Sequence, residues 1–159
     1  MKKLLVPALI LLALLCAPFT RQDISELLPV QTLSLSRSGG VYCLQTDSGY
    51  YGRGGTLARA LADLHRCAPG VVELATARQL VVERACVTAL PELIRLQVLR
   101  PATQVYVSPQ AVSAPDAGDF LSRHSSAVTL SRVQAGLLRG EPAVLPELRG
   151  AEGRYWLAA

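Results

Sequence analysis

After Lys3 the sequence contains no lysine, and it has only two histidines, eight aromatic residues and no Cys-x-x-Cys pair. Each scarcity excludes something. Fourteen scattered arginines stand against twelve acids, a net charge of +2 beyond the two leader lysines. Such a balance gives no basic stripe to neutralise a phosphate backbone, so no nucleic-acid partner is expected. Cys43, Cys67 and Cys86 lack a histidine at ligand spacing, which argues against structural zinc, since that metal needs four close ligands. One disulfide with a spare thiol remains open; three small buried hydrophobes is the preferred reading. With charged residues at 18% and apolar ones at 50%, the chain carries too much hydrophobic content to stay disordered.

Catalytic signatures are also scarce. Ser48 to Gly55, SGYYGRGG, precedes a helical pattern, and a glycine turn at a helix N-terminus can hold an anion. It has neither the GK[ST] of a phosphate loop nor G-x-G-x-x-G. Tyr50 and Tyr51 beside those glycines are a candidate contact surface, because tyrosine offers large amphipathic area at low entropic cost. His65 and His124 are the only imidazole bases available. A grouping of His124, Ser125 and Asp119 can be drawn on paper, but no nucleophile-elbow context surrounds the serine. Glu141, Glu147 and Glu152 read as solvated charges. The expectation is a protein that is not an enzyme, with no cofactor and no metal; small-molecule binding stays open.

What is present begins with Met1 to Cys16: Lys2 and Lys3, an apolar run from Leu4 to Leu15, then a cysteine. Cationic residues stay on the cytoplasmic side while a short apolar segment partitions into the bilayer, the layout of a secretory leader. Residues 1–20 are therefore read as a signal or lipoprotein leader or a membrane anchor, and residues 21–159 as one domain outside the cytoplasm. Three fates stand side by side. Release needs small residues at a cleavage site, and an A-x-A site is missing. An uncleaved anchor would be short of the ~20 residues that span a bilayer comfortably. Lipidation of Cys16 fits a cysteine closing a Leu-Ala-rich run, although Leu15 is bulky where a small residue is usual.

The remaining residues suffice for one sizeable core. Leu28 to Arg37 and Val41 to Thr46 alternate around Ser38-Gly39-Gly40 and predict a β-hairpin. From Thr56 the period becomes helical, with Leu57, Leu61 and Leu64 on one face and Ala68-Pro69-Gly70 as the stop. Val71 to Glu83 reads as a strand with a polar middle, though Glu73 to Leu80 could equally start a helical turn, and Ala85 to Leu99 as a helix kinked or begun afresh at Pro91. Thr103 to Ser108 is a strand. Asp116 is expected to cap one helix and Thr129 another that ends at Gly140, and Gly153 to Ala158 forms a last strand. The predicted class is α+β, a mixed sheet in the order β-β-α-β-α-β-α-α-β covered by helices.

Several segments then point to a family. Arg21-Gln22-Asp23-Ile24-Ser25-Glu26-Leu27 followed by Val30 resembles the R-[DE]-I-x-E-L-x-x-V stretch that opens mature Ger(x)C-type spore germination lipoproteins. Gly54-Gly55-Thr56-Leu57 to Ala60-Leu61 is similar to their glycine-led helix start, Gln79 to Val82 to a strand, and Leu137 to Leu148 to a late helix followed by G-x-P-x-L-P. Together the pieces run from Arg21 to Ala159 and resemble the family's N-terminal domain. The resemblance implies a membrane-tethered, non-enzymatic interaction module: the C subunit of a germinant receptor, lipidated at Cys16 on the outer face of the cell or inner spore membrane. It also implies polytopic membrane subunits as partners. The alternative is an envelope-anchored solute-binding or accessory domain unrelated to germination.

Overall fold

A computed structural model describes residues 26–141, 143–151 and 154–158. The leader, Cys16 and most of the RQDISEL segment lie outside these residues. The chain forms β1 (Leu27–Pro29), β2 (Thr32–Ser38), β3 (Val41–Thr46), β4 (Tyr51–Gly54), α1 (Leu57–Cys67), β5 (Val71–Glu73) and β6 (Gln79–Glu83). It continues through α2 (Leu90–Arg95), β7 (Gln104–Ser108), α3 (Ala114–Arg123), α4 (Leu130–Arg139), β8 (Glu147–Ala151) and β9 (Arg154–Ala158). Seven strands make one mixed sheet in the order β4-β3-β2-β6-β7-β8-β9, while β1 and β5 form a separate parallel pair. This is the α+β class expected from the sequence.

The hairpin is where the alternation placed it. Ser38 pairs with Val41, and Gly39 and Gly40 occupy the turn at φ 56° and 82°. Positive φ at both central residues gives the two-residue loop a twist that matches the strands. Beyond it, β2, β6, β7 and β8 run parallel, and β3, β4 and β9 are antiparallel to their neighbours.

Side-chain alternation divides the sheet into two unlike faces. On the first, Leu33, Leu35, Leu44, Leu80, Val82 and Val105 pack with Leu57, Ala60, Leu61 and Leu64 of α1, Leu90 and Leu93 of α2, and Leu130 and Val133 of α4. On the second, a smaller core joins Val81, Tyr106 and Leu148 to Ala117 and Leu121 of α3. Nearby on that face, Thr32, Ser34 and Gln79 are buried polar residues, and the Thr32 hydroxyl donates to Gln79 Oε1 at 3.1 Å. Burial of such groups requires partners, and this bond supplies one.

Four sequence expectations change and one open alternative is decided. The SGYYGRGG stretch is not all loop, because Tyr51–Gly54 pairs with β3 as strand β4. The segment Leu28 to Arg37 is two strands, since Val30 N–H donates to Thr76 Oγ1 and its carbonyl accepts from the same hydroxyl, breaking the run between β1 and β2. Within Val71 to Glu83 the helical-turn alternative is the one formed: a 3-10 turn over Leu74–Thr76 separates β5 from β6, and its Ala75 N–H donates to Glu73 Oε1 at 3.2 Å. Asp116 does not cap α3; Ser113 holds the cap position and Pro115 lies in the first turn, where its missing N–H costs nothing. Finally, Glu147–Ala151 forms β8, a strand the sequence reading omitted. Pro91 does begin a fresh helix: a 3-10 segment over Arg84–Ala89 gives way to α2, with the proline in its first turn. Gly140, at φ 70°, ends α4 in the left-handed conformation.

Candidate functional surfaces

The glycines before α1 serve packing. A Cβ at Gly52 would lie 2.2 Å from the Ala60 carbonyl oxygen, and one at Gly54 would lie 2.5 Å from the Ala60 nitrogen. Both distances are far inside van der Waals contact, so the helix backbone can lie this close to β4 only over glycine. Thr56 caps the helix by accepting from Arg59 N–H at 3.3 Å, and Asp63 Oδ2 accepts the Arg53 N–H at 2.9 Å. The Arg53 amide and the Arg66 guanidinium hold the Asp63 carboxyl below its ordinary pKa. The segment read as a candidate anion loop is thus a strand and helix start tied to each other.

The two tyrosines separate. Tyr50 is half-buried against the main core, while Tyr51 is 50% exposed on the second face, where its hydroxyl accepts from Gln45 Nε2 at 2.6 Å. Gln45 Oε1 in turn accepts the Ala114 N–H at 3.3 Å, linking Tyr51 to the start of α3. Of the candidate contact pair, Tyr51 alone offers a large open area.

His65 and His124 are both on open surface. The His124 ring stacks on Phe120 at 4.0 Å between centroids, and its Nδ1 lies 2.8 Å from the Phe120 carbonyl. With that nitrogen turned to its own helix, Asp119 does not orient the imidazole and the grouping with Ser125 is not assembled. Among the described residues, no cluster of three or more His, Cys, Asp or Glu side chains could hold a metal ion. All three described cysteines are free: Cys86 is buried, Cys43 half-buried and Cys67 exposed. Only Cys86 therefore fits the reading of these residues as buried hydrophobes. Burial, aided by the neighbouring Glu83, pushes its thiol up to about 11.

Two concavities adjoin α3. The first, about 390 Å³, is lined by Gln31, Thr32, Asp47, Gly118, Asp119 and Ser122. Here Asp47 Oδ2 accepts Gln31 N–H at 3.1 Å, while its Oδ1 is buried without a partner. An unpaired buried carboxylate oxygen is costly, so this cleft favours a donor or cation over a second acid. The second, about 560 Å³, lies between α3 and β9 and is bounded by Asp116, Phe120, Arg123, His124 and Tyr155. Burial, then the nearby Asp116 carboxylate, raises the Tyr155 phenol.

Exposed apolar groups collect on α4 and β9. Leu138 is 82% exposed beside Leu137, and together with Pro91 and Ile94 of α2 they line a groove of about 320 Å³. Trp156 of β9 is 45% exposed. Glu147 at the start of β8 joins Arg149 at 2.8 Å and Arg84 at 2.7 Å. The hydrogen bond from Arg149 leads the influences that hold its carboxyl below the ordinary range. No helix of the described residues is long and apolar enough to cross a membrane.

No protein-family model, curated protein or solved structure matches this chain.

Proposed function

We propose that this chain is a membrane-tethered, extracytoplasmic interaction module that acts without catalysis. The observation that carries the reading is the leader: Lys2 and Lys3, an apolar run to Leu15, then Cys16, ahead of a folded domain. A lipid on Cys16, or retention of the apolar segment as an anchor, leaves that domain on the outer face of the membrane. Intact mass measurement of the chain from a membrane fraction tests this. A diacylglyceryl adduct on a chain beginning at Cys16 supports lipidation, the full-length mass supports the anchor, and a soluble chain trimmed elsewhere removes the tether.

Within that reading, the ordered likeness to Ger(x)C-type proteins supports the C subunit of a germinant receptor, working beside polytopic membrane subunits. The segments that carry the likeness include the entry to α1, strand β6 and the passage from α4 to β8. Deleting the gene in a spore-forming host should abolish nutrient-triggered loss of refractility. Unchanged germination with every nutrient tried would sink the receptor assignment and leave the tethered module standing.

One observation favours a second reading, an envelope-anchored solute-binding domain. The partnerless Asp47 Oδ1 and the Asp119 carboxylate in the same cleft suit a small ammonium-bearing solute. Titration calorimetry with free amino acids and alkylamines decides it: heat lost in Asp47→Asn supports binding, and no heat with any of them rejects it.

A further inference from the structure

Among the described residues β9 is an edge strand of the large sheet. Its partner on one side is β8, in an unbroken register from Glu147 opposite Ala158 to Ala151 opposite Arg154. On its other side no strand of the described residues follows in the sheet. Sheet edges are ordinarily blunted by proline, a bulge, inward charge or a covering element. Among its described residues β9 has no proline and no bulge, and its one charge is Arg154 at its first position. Its side chains are instead Tyr155 and Leu157 on the smaller-core face and half-exposed Trp156 on the other.

We propose that the edge is filled by β9 of a second copy, antiparallel and centred on Trp156, so that two seven-stranded sheets become one. This does not depend on the membrane tether. A two-fold axis perpendicular to the sheet keeps each side chain on its own face, and a centre at Trp156 fixes every cross-strand pair. Trp156 meets Trp156 and Tyr155 meets Leu157, an aromatic and an aromatic–aliphatic contact of the kind that stabilises paired strands.

The same register brings each Arg154 toward the other copy's Glu147, an acid that already holds Arg149 and Arg84. Arg154 of one copy comes opposite Ala158 of the other, and Ala158 is already opposite Glu147 on β8. Adjacent strands lie about 4.8 Å apart, which puts the Arg154 and Glu147 backbones about 10 Å apart across a methyl side chain. Both side chains share a face by parity, and an arginine spans most of that distance. Centring the axis on Tyr155 would move Arg154 opposite Trp156, and centring it on Leu157 would carry Arg154 past Ala158; only the Trp156 centre places Arg154 beside an alanine that Glu147 neighbours.

The test uses the full purified chain, in detergent if it comes from the membrane fraction and in buffer if it does not. Sedimentation of the wild type, corrected for bound detergent, should give the mass of two chains. Trp156→Asp sets two carboxylates against each other at the axis and should raise the dissociation constant by about tenfold or more. Its far-ultraviolet circular dichroism should stay that of the wild type, because the side chain is half exposed. As a variant that keeps a small neutral side chain, W156C in a C67S background should form a reducible two-chain band on mild oxidation, since directly opposed Cβ atoms lie within disulfide reach. Val144→Cys in the same background, at a site 86% exposed, should not. A single-chain mass at all concentrations overturns the proposal and leaves the edge to a strand from another protein. A dimer that survives Trp156→Asp, or one in which W156C does not cross-link, also overturns it by placing the contact elsewhere.

Discussion

The sheet's two edges solve one physical problem in opposite ways. At β4 the strand is four residues long, α1 lies against it, and its Arg53 N–H is bound by the Asp63 carboxylate. At β9 the strand is five residues long and paired, among the described strands, to β8 alone, with a tryptophan half in solvent. The cause lies in two pairs of residues. Gly52 and Gly54 let a helix backbone close over β4, whereas Tyr155 and Trp156 give β9 side chains too large for a helix to sit as close. An edge closed from within its own chain is structural, and an edge left open with apolar side chains is a place for a partner.

The sharpest way to break this contrast is to add a methyl group on β4 itself and on β8, the strand that carries the other edge. Gly52→Ala drives its Cβ into the Ala60 carbonyl, a backbone atom that moves only with the helix, and should cost about 3 kcal/mol. Gly150→Ala on β8 meets the Tyr155 ring, with the nearest atom at 2.7 Å. That ring can swing, so about 1 kcal/mol is expected. Urea unfolding with an unchanged slope would give both values. Equal losses at the two sites would mean that the helix cover over β4 is no tighter than the side-chain packing at β8.

Acid should loosen both edges. Asp63 and Glu147 have carboxyls lowered in the fold, Asp63 chiefly by the Arg53 amide and Glu147 chiefly by Arg149. A lowered carboxyl contributes its stability above the unfolded pKa of about 4 and loses it as pH falls through the folded value. Below about pH 4 hydrogen exchange should therefore rise at the Arg53 amide and along β8. Asp63→Asn should remove the acid-dependent change at Arg53 and leave that at β8 intact. A change that persists in the variant would deny Asp63 its place as the edge cap.

The smallest effect is chemical. With its thiol pushed up to about 11 and its side chain buried, Cys86 should resist a thiol reagent at pH 8 until the protein unfolds. Cys67, on open surface at the end of α1, should react first and Cys43 more slowly. Labelling followed by peptide mass analysis reads the order, and early reaction at Cys86 would mean that the segment after β6 opens in the native state.

Much of the fold could be read from local pattern. The Gly39-Gly40 hairpin, the leucines of α1 and the stop at Gly140 each depend on neighbours within a few residues, where periodicity and turn chemistry act. Strand β4 was hidden because its glycines have the composition of a loop, and their purpose becomes visible only when Ala60 and Leu64 lie above them. Strand β8, ELRGA, has little β-branched or aromatic content and is held by its pairing with β9. The cleft was illegible for a stronger reason. Thr32, Asp47 and Asp119 come from separate stretches of chain, and no spacing rule joins them before the fold does. The proposed leader is the reverse case: it rests on sequence alone and lies outside the described residues.

The short pair of β1 and β5 has a mechanical consequence. Leu27, Leu28 and Pro29 lie in register with Val71, Val72 and Glu73, and they come before every other described strand. Among the described residues, a force applied at Glu26 therefore meets these three residues before it reaches the large sheet. Pulled along its axis, β1 must shear all three pairs together; pulled across it, they open one after another. For a protein held by its beginning, this pair would be the first to yield, a mechanical fuse ahead of the seven-stranded sheet.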